Sequence, residues 1–154
     1  DEAARNLDDE YFFGKDLLVC PLTLEDGTSR EVYLPEGNWY NFFTGEKIEG
    51  GRRLVLEADW NEMLVFARDG ALVPVAEPVI CVTEDTVFNI TVKSFGTNKT
   101  GSCVLYEDDF VSFNYESLVA KKQINVTVGD NGKFIVSGAK TSTKYHFLNC
   151  IVKD

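Results

Sequence analysis

Apolar and polar residues alternate with a period of two along several stretches of the chain. Residues 88–93 and 123–128 follow this alternation without a break. Successive side chains of a strand point to opposite faces of its sheet, so the pattern predicts antiparallel strands with one buried and one solvated face. The Gly-bearing loop at 128–133 predicts a hairpin between the second strand and the next.

Shorter β-rich runs recur along the rest of the chain, separated by turns rich in glycine, asparagine and aspartate. They cover residues 17–20, 30–34, 53–57, 64–67, 79–83, 87–93, 102–107, 124–128, 133–137 and 145–152. No stretch shows a sustained helical period with caps. The pattern therefore predicts an all-β fold of two consecutive small antiparallel β-sandwiches. Pro74 and Pro78 place the boundary, giving domains at 1–76, with 1–10 as a linker, and at 79–154.

The chain is acidic, with a formal net charge of −10 and a pI of about 4.6. Such a surface repels phosphate backbones and anionic lipids, so neither nucleic acid nor a membrane is expected as a partner. The sequence opens at Asp1 without a start methionine, and we interpret it as a piece of a longer protein.

The cysteines and the single histidine do not form a metal-binding pattern. The cysteines show no C-x-x-C spacing and stand among apolar neighbours, so they are predicted to be small buried side chains: Cys20, Cys81, Cys103 and Cys150. His146 lies alone in a β-like run. No metal or other cofactor is expected.

Three ordered blocks resemble glycoside hydrolase family 31. Residues 13–21 (FGKDLLVCP) are similar to the F-G-x-x-L-L-V-A-P strand that follows the catalytic barrel in that family. Residues 30–46 resemble its vYLPxGxWYDfwTGe block, and residues 65–74 its vFvRaGaiiP strand. Residues 105–115 are similar to a distal LYEDDGxSxxY pattern, although Phe110 stands where the family has glycine.

The resemblance implies that the parent is a retaining α-glycosidase acting on terminal α-linked glucose or xylose residues. Such enzymes use two carboxyl groups about 5 Å apart, which family 31 carries as aspartates in a barrel upstream of residue 1. The segment 59–63 holds similar residue types in a different order, so no catalytic residue is assigned. We expect a non-catalytic region that packs against and stabilises the barrel and meets carbohydrate only through the parent.

An aromatic turn leaves a second function open. Trp39, Tyr40, Phe42 and Phe43 lie between two glycines and are candidates for contact with the barrel or with sugar. In the alternative hypothesis, the chain is a carbohydrate-binding sandwich that uses exposed aromatics. Arg68 is expected to pair with a carboxylate of the chain or with the barrel surface.

An acidic turn gives a third hypothesis. Glu107, Asp108 and Asp109 could form a weak Ca²⁺ site, although a solvated turn is the better account of them because calcium normally takes six or more ligands. A calcium-stabilised adhesion sandwich would rest on this turn and on fold class alone. Without its barrel the chain is also expected to expose an apolar docking face and to self-associate.

Overall fold

The computed structural model describes residues 1–23, 28–59, 61–96, 100–107, 113, 121–128, 134–137 and 144–153. Within these ranges the chain is all-β, and the strand pairs with a described register are antiparallel, which confirms the predicted fold class. The strands are β1 (Tyr11–Phe13), β2 (Leu17–Cys20), β3 (Ser29–Leu34), β4 (Asn38–Asn41), β5 (Lys47–Glu49), β6 (Arg52–Glu57), β7 (Leu64–Arg68), β8 (Leu72–Ala76), β9 (Phe88–Phe95), β10 (Thr100–Tyr106), β11 (Lys121–Val128), β12 (Phe134–Ser137) and β13 (Tyr145–Lys153). In this part of the chain, no helix is both long and apolar enough to cross a membrane.

The chain divides into two compact units, the first built mainly from Asp1–Ala71 with Phe95 and Lys153. Its five-stranded sheet has the order β1-β2-β7-β4-β5, and β3 pairs with β6 in a second, two-stranded sheet. Side chains from both sheets share one core, as expected for a sandwich. Its buried members are Leu18, Cys20, Val32, Leu34, Trp39, Ala58, Leu64 and Phe66.

Strand β7 is buried on both faces. Leu64 and Phe66 point into the core between the sheets, whereas Val65 and Ala67 are buried on the opposite face. A continuous apolar run is typical of a strand covered on both sides. On that second face, Tyr40 of β4 packs with Phe95, with ring centroids 6.4 Å apart.

The second unit is built from β8 to β13 and has its own core. Its three-stranded sheets have the orders β13-β9-β8 and β10-β11-β12. Ile90 and Val92 of β9 are buried, as their alternation predicts, while Asn125 and Thr127 of β11 are exposed. Val128 pairs with Phe134 across β11 and β12, so the predicted hairpin is confirmed in its strands, although its loop lies outside the described residues.

Two local expectations about β8 and the connection that follows it are wrong. Pro74, which places the predicted domain boundary as a residue that breaks strand pairing, lies inside β8 opposite Val92. Proline is tolerated there because β8 is an edge strand. Residues 79–83 form no strand, because β8 and β9 pair directly and leave this apolar run as their exposed connection. Cys81 is consequently exposed and not a buried side chain. The predicted domain limits at 76 and 79 stay a prediction.

Candidate functional site

Strand β4 buries the first two residues of the aromatic turn. Trp39 is 1% exposed, and its indole Nε1 donates a hydrogen bond to the Pro35 carbonyl at 2.8 Å. Tyr40 is buried on the opposite face of the same strand. Adjacent residues point to opposite faces, so one strand supplies an aromatic ring to both sides of the sheet. Both rings serve packing within the chain.

The end of the aromatic turn is different, because Phe43 is 57% exposed. Its ring meets Phe42 edge to face, with centroids 5.3 Å apart and an interplanar angle of 89°. Phe42 in turn packs on Phe95 at 5.7 Å. The turn is closed by Asn41, whose Oδ1 accepts hydrogen bonds from the backbone N–H groups of Phe43 and Thr44 at 2.9 and 3.0 Å. Phe43 is therefore an exposed ring on a structured turn.

An open pocket of about 300 Å³ lies beside this exposed ring. Its other walls come from the end of β6 and from the connection to β7; the lining residues besides Phe43 are Asn41, Thr44, Glu57, Asn61, Glu62, Met63 and Leu64. The connection is ordered locally, since Glu62 donates its N–H to the Asp59 carbonyl at 2.8 Å and its Oε2 accepts from the Asp59 N–H at 3.1 Å. The segment set aside above as non-catalytic therefore helps to form a pocket.

Arg68 lies against two aromatic rings that also contact each other. Its guanidinium carbon is 5.4 Å from the ring centroid of Phe12 and 5.3 Å from that of Trp39, a cation–π contact with each ring, and the two centroids are 6.1 Å apart. The exposed Arg68 side chain also lines an open groove of about 1010 Å³ together with Asp1 and Glu36. Among the residues that the structure describes, it forms no ion pair.

A buried arginine cluster is the feature that sequence reasoning missed. Arg30 Nη2 lies 2.9 Å from Asp9 Oδ2 and 3.8 Å from Glu10 Oε2, and Nη1 donates to the carbonyl groups of Asp9 and Pro21. The signal was available, because Arg30 is in phase with Val32 and Leu34, the inward residues of β3. Arg30 thereby ties the segment that precedes β1 to the sandwich.

Burial dominates the protonation of two groups in this cluster. It raises the pKa of Glu10, although the hydrogen bond from the Tyr33 N–H and the charge of Arg30 act in the opposite direction. Burial, reinforced by the nearby Glu10, raises the pKa of the Cys20 thiol to about 12. Cys20 is therefore an unreactive core side chain.

The acidic turn is only partly visible. Glu107 follows β10 and is partly buried, whereas Asp108 and Asp109 lie outside the described residues. Among the described residues, no group of three or more His, Cys, Asp or Glu side chains could hold a metal ion. The Ca²⁺ hypothesis for this turn stays a prediction.

Comparison with known proteins places this sandwich among the C-terminal domains of glycosyl hydrolases. Residues 1–73 match the glycosyl hydrolase family 31 C-terminal domain. The chain is 33% identical over 149 residues to a 1,6-alpha-glucosyltransferase of Sporosarcina globispora, covering 93% of this chain and 12% of that protein. It is 34% identical over 117 residues to an alpha-xylosidase of Saccharolobus solfataricus, covering 75% of this chain and 16% of that protein.

Solved structures agree with this assignment. A family 31 dextranase of Flavobacterium johnsoniae matches 88% of this chain with a TM-score of 0.75 and 30% sequence identity. The matched region is 17% of the dextranase chain, so this chain spans less than a fifth of the length of these relatives. The chain belongs to glycoside hydrolase family 31 and corresponds to the β-sandwich C-terminal region of its larger enzymes.

Proposed function

We propose that this chain is a non-catalytic module that packs against and stabilises the catalytic domain of its parent glycosidase. The parent acts on α-linked glucose or xylose residues, a proposal supported by relatives named as a 1,6-alpha-glucosyltransferase and an alpha-xylosidase. Because the chain covers less than a fifth of those proteins, most of each enzyme lies outside the matched region. In this proposal the carbohydrate that reacts is bound by the rest of the parent.

The observation that carries this proposal is the aromatic edge strand β1. Tyr11 pairs with Val19 and Phe13 with Leu17, and β2 continues the register so that Val19 lies opposite Val65. Val19 and Val65 are buried, yet Tyr11 at the end of the same row is 53% exposed and the neighbouring Phe13 is 68% exposed. Neighbouring aromatics at the rim of an otherwise buried face are typical of an interface core.

A charged group lies on the other face of the same sheet, since Arg68 is in phase with Phe66 and contacts Phe12, whereas Tyr11 and Phe13 share the face of Val65. Arg68 is restrained by the rings of Phe12 and Trp39, so its guanidinium loses little conformational freedom when it binds a partner. A planar guanidinium suits a carboxylate or a pair of carbonyl oxygens on the adjoining domain. Arginine and aromatic residues together are the residue types that dominate binding energy at protein interfaces.

Exposed apolar side chains on the two different sheets allow a test of the docking proposal with a control. The double variant Tyr11→Ser/Phe13→Ser removes the proposed docking edge, whereas Val55→Ser removes an apolar side chain that is 71% exposed on β6. In the full parent, loss of two buried aromatic contacts is expected to cost about 3 kcal/mol and to lower the temperature of thermal inactivation. In the isolated chain, the same double variant should change unfolding little.

The control variant Val55→Ser should leave the thermal inactivation temperature of the parent unchanged. A parent carrying Tyr11→Ser/Phe13→Ser that inactivates at the wild-type temperature would contradict the docking proposal. Equal destabilisation of the isolated chain would show that the two rings are needed for the fold of the module itself. Sedimentation of the isolated chain tests the accompanying prediction of self-association, which the double variant should reduce.

Absence of catalysis is tested directly. The purified chain should not hydrolyse aryl α-glucosides or α-xylosides, while the parent should. Turnover by the isolated chain would overturn the non-catalytic assignment, and the variant Asp59→Asn would show whether Asp59 carries it.

A further inference from the structure

The pocket beside Phe43 has the size and composition of a small-ligand site. Its volume of about 300 Å³ is at the low end of the range for small-molecule sites, which suits a single pyranose ring better than an extended chain. It lies next to the turn Asn41–Thr44, and both of its walls are held by local hydrogen bonds. A ligand would therefore meet a largely preformed surface.

One wall provides a flat apolar surface. Phe43 is 57% exposed, and its ring orientation is restrained by the edge-to-face contact with Phe42. Met63, also exposed, adds a second apolar side chain to the lining. The C–H face of a pyranose packs well on an exposed aromatic ring, because both surfaces are flat and apolar.

The remaining lining provides hydrogen-bonding groups. Asn41 uses its Oδ1 for two backbone donors, so its Nδ2 hydrogens are the group left to donate to a ligand. Glu62 uses Oε2 to hold its own turn, and Glu57 and Asn61 add a carboxylate and an amide to the same lining. Carboxylates and amides placed together can bind pairs of adjacent hydroxyl groups.

The charge of the pocket narrows the ligand class. Its lining includes Glu57 and Glu62, and none of the described lining residues is Lys, Arg or His. The two carboxylates disfavour phosphorylated and acidic ligands by repulsion. The nearby cation Lys153 is not part of the lining, and its Nζ lies 3.4 Å from the carbonyl oxygens of Phe43 and Thr44. The described residues here include no cluster suited to a metal ion. A neutral polyhydroxylated ligand satisfies both the apolar ring and the polar rim.

We propose that this pocket binds one residue of a neutral oligosaccharide, stacked on Phe43 and hydrogen-bonded by Asn41, Glu57 and Asn61. The proposal goes beyond the docking function and uses different residues, so each can fail without the other.

The test uses the chain itself with isomaltotriose, maltotriose and xylotriose as probes, followed by ¹H–¹⁵N NMR titration. At least one probe is expected to shift the backbone amides of Phe43, Thr44 and Asn61, with a dissociation constant of about 1 mM. Phe43→Ala should weaken that binding about tenfold or more. Asn61→Ala, in an exposed connection, should weaken it severalfold and remains informative if Phe43→Ala does not fold.

A control is available in Ile80→Ala, which removes a fully exposed apolar side chain from the connection between β8 and β9 and should leave binding unchanged. The proposal is overturned if no probe shifts the pocket amides at about 20 mM. It is equally overturned if folded Phe43→Ala or Asn61→Ala binds as tightly as the wild type. Neither result bears on the docking function, whose readout is the thermal stability of the parent.

Discussion

Replacement of Gly50 by alanine tests the packing around the buried tryptophan. A Cβ atom at Gly50 would collide with the Pro35 carbonyl oxygen and lie 2.9 Å from both Cδ1 and Nε1 of the Trp39 indole. Neither neighbour can move freely, because that carbonyl accepts the indole N–H and Trp39 is almost fully buried. The backbone at Gly50 is also fixed, since its N–H donates to the Gly37 carbonyl at 2.7 Å.

The expected cost follows from these contacts. Overpacking costs about 1–3 kcal/mol, and a buried donor that loses its acceptor costs about 1–3 kcal/mol more. The lower entropy of the unfolded alanine chain offsets about 0.4–1 kcal/mol of this. The middle of the range that these terms give is about 3 kcal/mol, which we expect as the loss in free energy of unfolding for Gly50→Ala, in contrast to the usual small effect of a surface substitution.

Gly51→Ala is the matched control. Gly51 has a positive φ of 76°, but a Cβ there meets only the Glu36 Cα, at 3.9 Å. The substitution should cost about 1–2 kcal/mol for the left-handed backbone alone. Urea unfolding followed by tryptophan fluorescence gives both values. Equal midpoints for the two variants, or a wild-type midpoint for Gly50→Ala, would refute the steric argument.

Three further predictions concern the buried cluster and the thiols. Arg30→Met should destabilise the chain by about 3 kcal/mol in urea unfolding, because it leaves Glu10 buried without its cation; a wild-type midpoint would contradict this. Burial raises the pKa of Glu10. The stability that protonated Glu10 contributes to the folded state is therefore fully present below the unfolded pKa near 4.5, and it is lost as pH rises through the folded pKa. Wild type should therefore lose stability relative to Glu10→Gln over that rise, and a constant difference would argue against a raised pKa. In the native chain, Cys81 should react rapidly with a thiol reagent, whereas Cys20, with its pKa raised to about 12, should not. Rapid labelling of Cys20 in the Cys81→Ser variant would contradict this prediction.

Local patterns predicted most of the strands but misjudged how a proline and an apolar run would be used. Alternation was sufficient for β9, and the turn glycines Gly37 and Gly45 do have positive φ values, of 125° and 85°. The strands β1, β4, β5 and β8 were not predicted, and the segment expected to be an aromatic turn begins as strand β4. At residues 79–83 apolar composition indicated a strand that does not form. Pairing partners decide whether such a run joins a sheet, and β8 and β9 already pair with each other.

The candidate sites were less predictable, because they depend on groups that are distant in sequence. Arg30 meets Asp9 and Glu10 only because β3 packs beside the segment that leads into β1. The pocket joins the turn after β4 to the connection between β6 and β7. Each segment was visible in the sequence, but their proximity was not.

The sequence by itself determined the all-β class, the positions of most strands and turns, and membership of glycoside hydrolase family 31. Periodicity, turn chemistry and ordered motifs are properties of local sequence. Only the tertiary structure decided which aromatic rings are buried and which are exposed. Trp39 and Phe43 stand four residues apart in one motif, yet one is buried and the other exposed. The reason is that burial depends on the strands and loops packed over each side chain, and these come from distant parts of the chain.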